Sequence, residues 1–517
     1  MTTKLHPLSI PYRSVQTALG LLWIVFLIGF SGTAVIGGTT GALVFGAAIL
    51  TGLVGAVVWE ILYYQRFEYE LTDDTFDVVS GVVSRRNREI PYRRIQNVGI
   101  SRNVIQRLAG IAEVSFETAG GSGAEAQLRY VSYEEAQRLQ DELSERKRRR
   151  VTTDQNGEQR ETDEELPREP ETERLFEITD WELAVLGVVS IDLRLIPLLT
   201  LAIPFLSPAL ADPALWAGPL YVVAPLAAIV LYLLTSIASG IISVTNYYGF
   251  LLVRTGDELR FERGLLQRYS GTIPLSKVQT LTISENVLER AVGYASLLIE
   301  TAGYSPGESG GSQSAVPIAK RGRVLDLAQS IEPYGDVEFE RPPKRARERY
   351  FFRYLGVLAV LTGIVYLADQ YFVPGLEWYW MLLGVIAVPI GAHLKWKHLG
   401  YALVDDHVVT RAGFWNRTTT VVPYHRVQTV LDSQTIFQRR RKLATLTVDT
   451  AGSSSLIGQD ARAIDIDRER ADELREDVAD RLQHSLAGRT APEDKLFDPA
   501  ATGSEMGEDS PSVSPGE

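Results

Sequence analysis

The chain has 517 residues, a formal net charge of −12 and no cysteine, which excludes disulfides and thiolate metal sites. Its apolar residues gather in nearly charge-free stretches around 15–63, 195–245 and 354–394, and that patterning describes membrane spans alternating with soluble modules rather than one globular body. Lys makes up only 9 of the 52 basic residues; an acid-rich, Lys-poor chain suits a salt-loving prokaryote, and a GC-rich genome produces the same bias.

A hydrocarbon core of about 30 Å takes about 20 apolar residues in helix. The first block, Val15 to Tyr63, holds two such lengths parted by Gly37–Gly41. It lacks the basic run of a cleaved signal peptide and a second span follows at once. In the second block Asp192 and Arg194 would cost roughly 2.5–3.5 kcal/mol each at mid-membrane. The span is therefore expected from about Leu195, with "RLFEITDWELAVLGVVS" (174–190) as an amphipathic approach in the interface and a return span from Leu220 to Ser243. The third block gives spans at Tyr354–Phe372 and Trp378–His393. Six spans in three hairpins result. Their outer turns, Gly37–Gly41, Ser207–Gly218 and Val373–Glu377, carry almost no charge. The opposite ends carry Arg66, Arg85, Arg86, Arg88, "ERKRRR" (145–150), "KRARER" (344–349), Lys395 and Lys397. The positive-inside rule then places both termini and all three modules in the cytoplasm of a multi-pass plasma-membrane protein.

The modules repeat. Prolines 91, 274 and 423 align without gaps over about thirty residues: a base three positions on (Arg94, Lys277, Arg426), Gln five on (Gln96, Gln279, Gln428), Ser ten on (Ser101, Ser284, Ser433) and Arg sixteen on (Arg107, Arg290, Arg439). Gly81, Gly264 and Gly413 stand ten before, and "ETAG", "ETAG" and "DTAG" close the blocks. Such offsets, three times over, signal duplication. Within a module "FEYEL" and "FDVV" around "TDD" predict a hairpin. "RIQNVGI" reads as a strand, and "SRNVIQRLAG" as a helical turn that Ser101 can cap. "AEVSFETAG" and "AQLRYV" add strands, and "SYEEAQRLQDELSERKR" begins with a capping box and is helix. About seven strands and a C-terminal helix describe each module. The predicted layout is hairpin 1 over 1–64, module 1 over 65–146, a disordered charged linker over 147–177, the interfacial segment and hairpin 2 over 178–245, and module 2 over 246–335. Hairpin 3 follows over 336–396, module 3 over 397–486 and a disordered tail over 487–517.

Paired spans followed by a β module with "IPxxRIQ" and "ETAG", three times in one chain, resemble the bacterial pleckstrin-homology (PH) membrane proteins of the YdbS/YdbT type, nearest the three-module members. The resemblance covers most of residues 1–486. It implies a PH-like fold and no enzymatic activity.

The repeated Arg/Lys-x-Gln has two readings. A base and an amide suit a headgroup or a protein surface, which makes Arg94, Gln96, Arg107, Lys277, Gln279, Arg290, Arg426, Gln428 and Arg439 the candidate partner- or lipid-binding residues. Alternatively Pro and Gly set the turn and strand edge while Gln satisfies backbone. "GYSPG" (303–307) fits a nucleophile elbow by letter only, because Pro306 and "GESGGSQS" deny Ser305 the helix it needs. No HExxH or other metal spacing and no phosphate loop occurs, so neither catalysis nor a cofactor is expected. Nucleic acid is disfavoured by charge and tethering. The expected function is an integral membrane scaffold or sensor whose modules bind lipids or membrane proteins, a smaller PH-like membrane protein among them, with envelope stress protection as the process served. A transport component is the alternative, for which Pro197, Pro204 and Pro225 could bend hairpin 2.

Overall fold

The computed structural model describes residues 3–18, 20, 38–118, 124–155, 172–192, 202–211, 220–301, 314–450 and 461–490. Module 1 contains β1 (Glu68–Leu71), β2 (Thr75–Ser80), β3 (Arg86–Pro91), β4 (Ile95–Arg102), β5 (Ile111–Thr118), β6 (Ala124–Ser132) and the helix Tyr133–Gln155. Upstream of module 2 lies β7 (Thr172–Glu177). The module itself holds β8 (Leu251–Thr255), β9 (Glu258–Arg263), β10 (Arg268–Pro274), β11 (Val278–Asn286), β12 (Tyr294–Thr301), β13 (Ser314–Lys320) and the helix Arg321–Ile331. Module 3 repeats this with β14 (Gly400–Val404), β15 (His407–Ala412), β16 (Asn416–Pro423), β17 (Val427–Ser433), β18 (Leu443–Thr450), β19 (Ala461–Asp467) and the helix Arg468–Thr490. The closing helices bury Ala136, Leu139 and Leu143, then Val324, Leu327 and Ala328, then Ala471, Leu474 and Val478, which is the three-and-four spacing of one apolar stripe.

Each module is thus two triplets of strands, a first and a second half, and not a run of about seven. The seventh position is filled from upstream of the apolar block that precedes each module. Thr3 bridges Tyr69, Phe176 of β7 pairs with Leu252, and Glu340 bridges Tyr401; Tyr69, Leu252 and Tyr401 are equivalent in the repeat. The segment expected as an amphipathic interfacial approach is accordingly strand β7 plus a helix, Asp180–Val189, capped by Thr179 and Glu182. Edge pairing with β8 and burial of Leu183, Leu186 and Val189 hold it on module 2. Likewise the helix of module 1 continues to Gln155 and β7 begins at Thr172, so the ends of the expected linker are ordered; 156–171 and the tail beyond 490 lie outside the described residues.

Among the described residues four helices are long and apolar enough to cross a membrane: Phe45–Arg66, Val223–Tyr247, Lys344–Tyr371 and Trp378–Lys397. The first spans expected in hairpins 1 and 2 fall largely outside the described residues. The segment that leads into each apolar block is fastened to the module that follows it. Asn103 Nδ2 donates to the Tyr12 hydroxyl at 2.8 Å, Asn286 Nδ2 to the Val189 carbonyl at 2.9 Å, and Arg349 Nη1 to the buried Asp465 at 2.5 Å.

The helix Asp180–Val189 also meets the span at two glycines: a Cβ on Gly240 would stand 2.5 Å from the Gly187 carbonyl oxygen. Gly240→Leu should therefore part these helices at a cost of about 1–3 kcal/mol, seen as faster hydrogen exchange over 180–189 and a lower Tm in detergent.

Candidate functional site

The repeated motif forms the same local structure in every module. Pro91, Pro274 and Pro423 end β3, β10 and β16 at φ −60°, −65° and −66°, and a 3-10 turn follows. Gln96, Gln279 and Gln428 then occupy the position where the pairing of β4 with β5, β11 with β12 and β17 with β18 skips one residue, a bulge that turns the strand. Gly81, Gly264 and Gly413 take φ +111°, +105° and +91°, where a Cβ would lie within 2.0 Å of a carbonyl oxygen three residues on. Only glycine suits that turn. The short helix after β4 is capped by Asn103 and not by Ser101, because β4 keeps pairing through Ser101 and Arg102; Asn286 and Thr435 cap its counterparts.

The modules join edge to edge. β4 pairs with β10, giving the sheet β6-β5-β4-β10-β9-β8-β7, and β11 pairs with β16, giving β13-β12-β11-β16-β15-β14. The second half of one module thereby continues into the first half of the next. Ser101 lies opposite Tyr269 at the first junction and Ser284 opposite Thr418 at the second. These are equivalent positions, so both junctions have one register. The sixteen-on arginines clasp them: Arg107 Nη1 donates to the Leu265 carbonyl at 2.8 Å, and Arg290 Nη2 to the equivalent Phe414 carbonyl at 2.6 Å. The core of module 2 also takes in Val409 and Val421 of module 3.

The first junction has three residue pairs and the second six. At the first, Arg102 faces Arg268, and like charges placed directly opposite repel. At the second, the same position pairs Glu285 with Arg417. Buried Glu285 accepts from Arg417 Nη2 and Nε at 2.6 and 2.9 Å and meets Arg321 Nε at 3.1 Å. Arg411 shares this cleft, a cavity of about 220 Å³ also lined by Tyr334 and Phe339. Burial, then the neighbouring Arg290, Arg417 and Arg411, push His398 down to about 4. Glu285 and Asp336 share this lining with Arg321, Arg411 and Arg417, which leaves a net positive cleft that can hold an anion.

The other candidate residues are dispersed. Arg94 is exposed and Lys277 half-buried in their turns, while Arg426 Nη2 reaches the Ser276 carbonyl of module 2 at 2.5 Å. Gln279 is buried with its amide 3.4 Å from the Lys277 carbonyl; Gln428 and Arg439 are exposed. The side chain of Gln96 lies outside the described residues. The structure therefore takes Arg107 and Arg290 to junctions and gathers no common headgroup pocket from the set among the described residues. Glu285 and Arg411 do not recur in the three modules, so the repeat does not point to them; Arg417 recurs as Arg85 and Arg268, six residues before the aligned proline, and that is the signal that could have found it.

Glu289 completes the capping box of the short helix in module 2, accepting from the Asn286 backbone N–H at 2.6 Å. Burial pushes its carboxyl up to about 7, so the folded chain holds this proton where an unfolded one has lost it. Its contribution should weaken as pH rises from about 4.5 to about 7 and then level off. Gln106 and Gln438 hold this position in the sister modules. Glu289→Gln should remove that slope and raise Tm above pH 7, measured across a pH series in detergent.

A family model described as Bacterial PH domain (bPH_2) matches this chain three times, over residues 21–147, 192–334 and 352–482. The chain is also similar to the UPF0699 transmembrane protein YdbT of Bacillus subtilis (strain 168). Identity is 26% over 472 residues, covering 88% of this chain and 93% of that protein.

Proposed function

The chain belongs to the bacterial PH-domain family, and we propose that it is an integral membrane scaffold whose three modules form one cytoplasmic array for binding other membrane proteins. The sheets that run from module to module carry this reading: a shared backbone ladder holds the modules at fixed spacing, and each is fastened at the entry to its own hairpin. An array so held presents binding surfaces in register. Binding rather than catalysis is its work, and anionic headgroups, worth about 1 kcal/mol per base near the bilayer, are met by Arg94 and Lys277. All six spans and the positive-inside orientation belong to this reading. Between the helices of hairpin 3 the groove is lined by Leu358, Ala359, Tyr366, Trp378 and Leu382, which suits lipid tails better than a transported polar solute.

Chemical cross-linking of the full chain in its native membrane, read by mass spectrometry, is the test. Discrete membrane-protein neighbours joined through module surfaces are expected. A chain joined only to itself, or to nothing, removes the scaffold reading.

A further inference from the structure

An array built head to tail by one repeated contact has two unused halves. The first half of module 1 ends at β3, at the edge of the sheet β1-β2-β3, and the second half of module 3 ends at β17, at the edge of β17-β18-β19. These are the two strands whose counterparts make the junctions: β3 corresponds to β10 and β16, and β17 to β4 and β11. Their exposure follows. Every residue from Val278 to Glu285 of β11 is buried, whereas Gln428, Thr429, Leu431 and Ser433 of β17 are exposed. Thr272 and Val421 are buried in β10 and β16, whereas their counterpart Glu89 in β3 is exposed, as are Arg86, Asn87 and Arg88.

We propose that β17 of one chain pairs with β3 of a second copy, repeating the internal junction between molecules. This rests on the array reading above and names its first partner. The occupant follows from continuity with an interface the chain forms twice, in one register. Carried over by the repeat offsets, that register sets Ser433 opposite Arg86 of the second copy and Asp432 opposite Asn87. The clasp has its parts too. Arg439 is exposed, with no side-chain hydrogen bond among the described residues, and its expected acceptor, the Val82 carbonyl, holds one donor, Arg66 Nη1 at 2.7 Å; a carbonyl oxygen accepts two. The arginines of β3 deter indiscriminate edge pairing; in this register Arg86 lies beside Ser433 and Arg88 beside Leu431, which carry no charge to repel them. The contact is heterologous, so it yields a ring where the rotation closes and a filament where it does not.

The chain's lack of cysteine makes the test direct. Arg86→Cys and Ser433→Cys are made in two differently tagged full-length chains, co-expressed, and oxidised in the membrane. Residues directly opposite in an antiparallel pair lie about 4.5–5.5 Å apart between Cα atoms, within disulfide reach. A mixed dimer is expected from the pair and none from either variant alone, and Arg439→Ala should lower its yield several-fold. No mixed dimer from chains that purify and melt like the parent, or a homodimer of Ser433→Cys alone, overturns the proposal. A chain that pairs with itself in this register but has no other protein neighbour keeps the array and removes the scaffold. Protein neighbours without the mixed dimer keep the scaffold and remove the second copy.

Discussion

Asp465→Ala should release hairpin 3 from module 3 and destabilise the chain by about 3–5 kcal/mol, the range for removing one partner of a buried ion pair. Asp465 is fully buried. It accepts from Arg349 Nη1 at 2.5 Å, from Gln438 Nε2 at 2.7 Å and from the Tyr350 hydroxyl. Arg349 and Tyr350 open the helix Lys344–Tyr371, and Gln438 belongs to the short helix after β17. One carboxylate therefore ties the entry of the hairpin to the second half of its module. Alanine would leave the Arg349 charge enclosed without a counter-ion. Asp465 also sits at φ +59°, a conformation Asn tolerates better than Ala. Asp465→Asn should therefore fall between parent and alanine, keeping hydrogen bonds but not charge. Thermal unfolding in detergent gives the ranking, and hydrogen exchange over 436–439 and 461–467 shows where the release occurs. Equal effects from Ala and Asn would place the stabilisation in the charge alone.

The repeat was legible because its residues answer to local rules. A glycine at positive φ, a proline ending a strand and a Gln in a bulge are each demanded by a few neighbouring residues, so duplication kept them at fixed offsets. The hairpin of β1 and β2 and the closing helices follow from period and capping in the same way. Joining of the modules was not legible. β11 and β16 lie more than a hundred residues apart in the chain, and no local pattern states which edge a strand seeks. Arg107, Arg290 and Arg439 are one repeated sign of it. Their type suggests bases facing a ligand, whereas two of them face a carbonyl of the next module. The strand count differs for a related reason, since the seventh position is filled from beyond the apolar block. Composition said less: the salt-loving source that the acid-rich, Lys-poor chain suggested finds no support in its relative.

The second large effect falls on the junction of modules 2 and 3, where Glu285→Ala should open the pairing of β11 with β16 and cost about 2–4 kcal/mol, as truncating one partner of a buried charge pair at an interface does. Glu285 is 2% exposed and Arg417 18%, so the pair is largely shielded from solvent and the discount for surface ion pairs is small. Its removal leaves Arg417, Arg411 and Arg321 around the cavity with Asp336 as the remaining carboxylate, and burial already lowers Arg411 and the neighbouring Arg290 from the usual guanidinium range. The junction must then part, take up an anion or draw in water. Hydrogen exchange over 278–286 and 416–423 should rise by at least tenfold while β4 and β10 exchange as before, because the first junction has no part in this pair. Raising phosphate should restore protection in Glu285→Ala but not in the parent, since the anion would replace the lost carboxylate among the guanidiniums. Exchange that rises equally at both junctions would mean that the modules unfold together, and the continuous sheet would then be one cooperative unit rather than a chain of separable contacts.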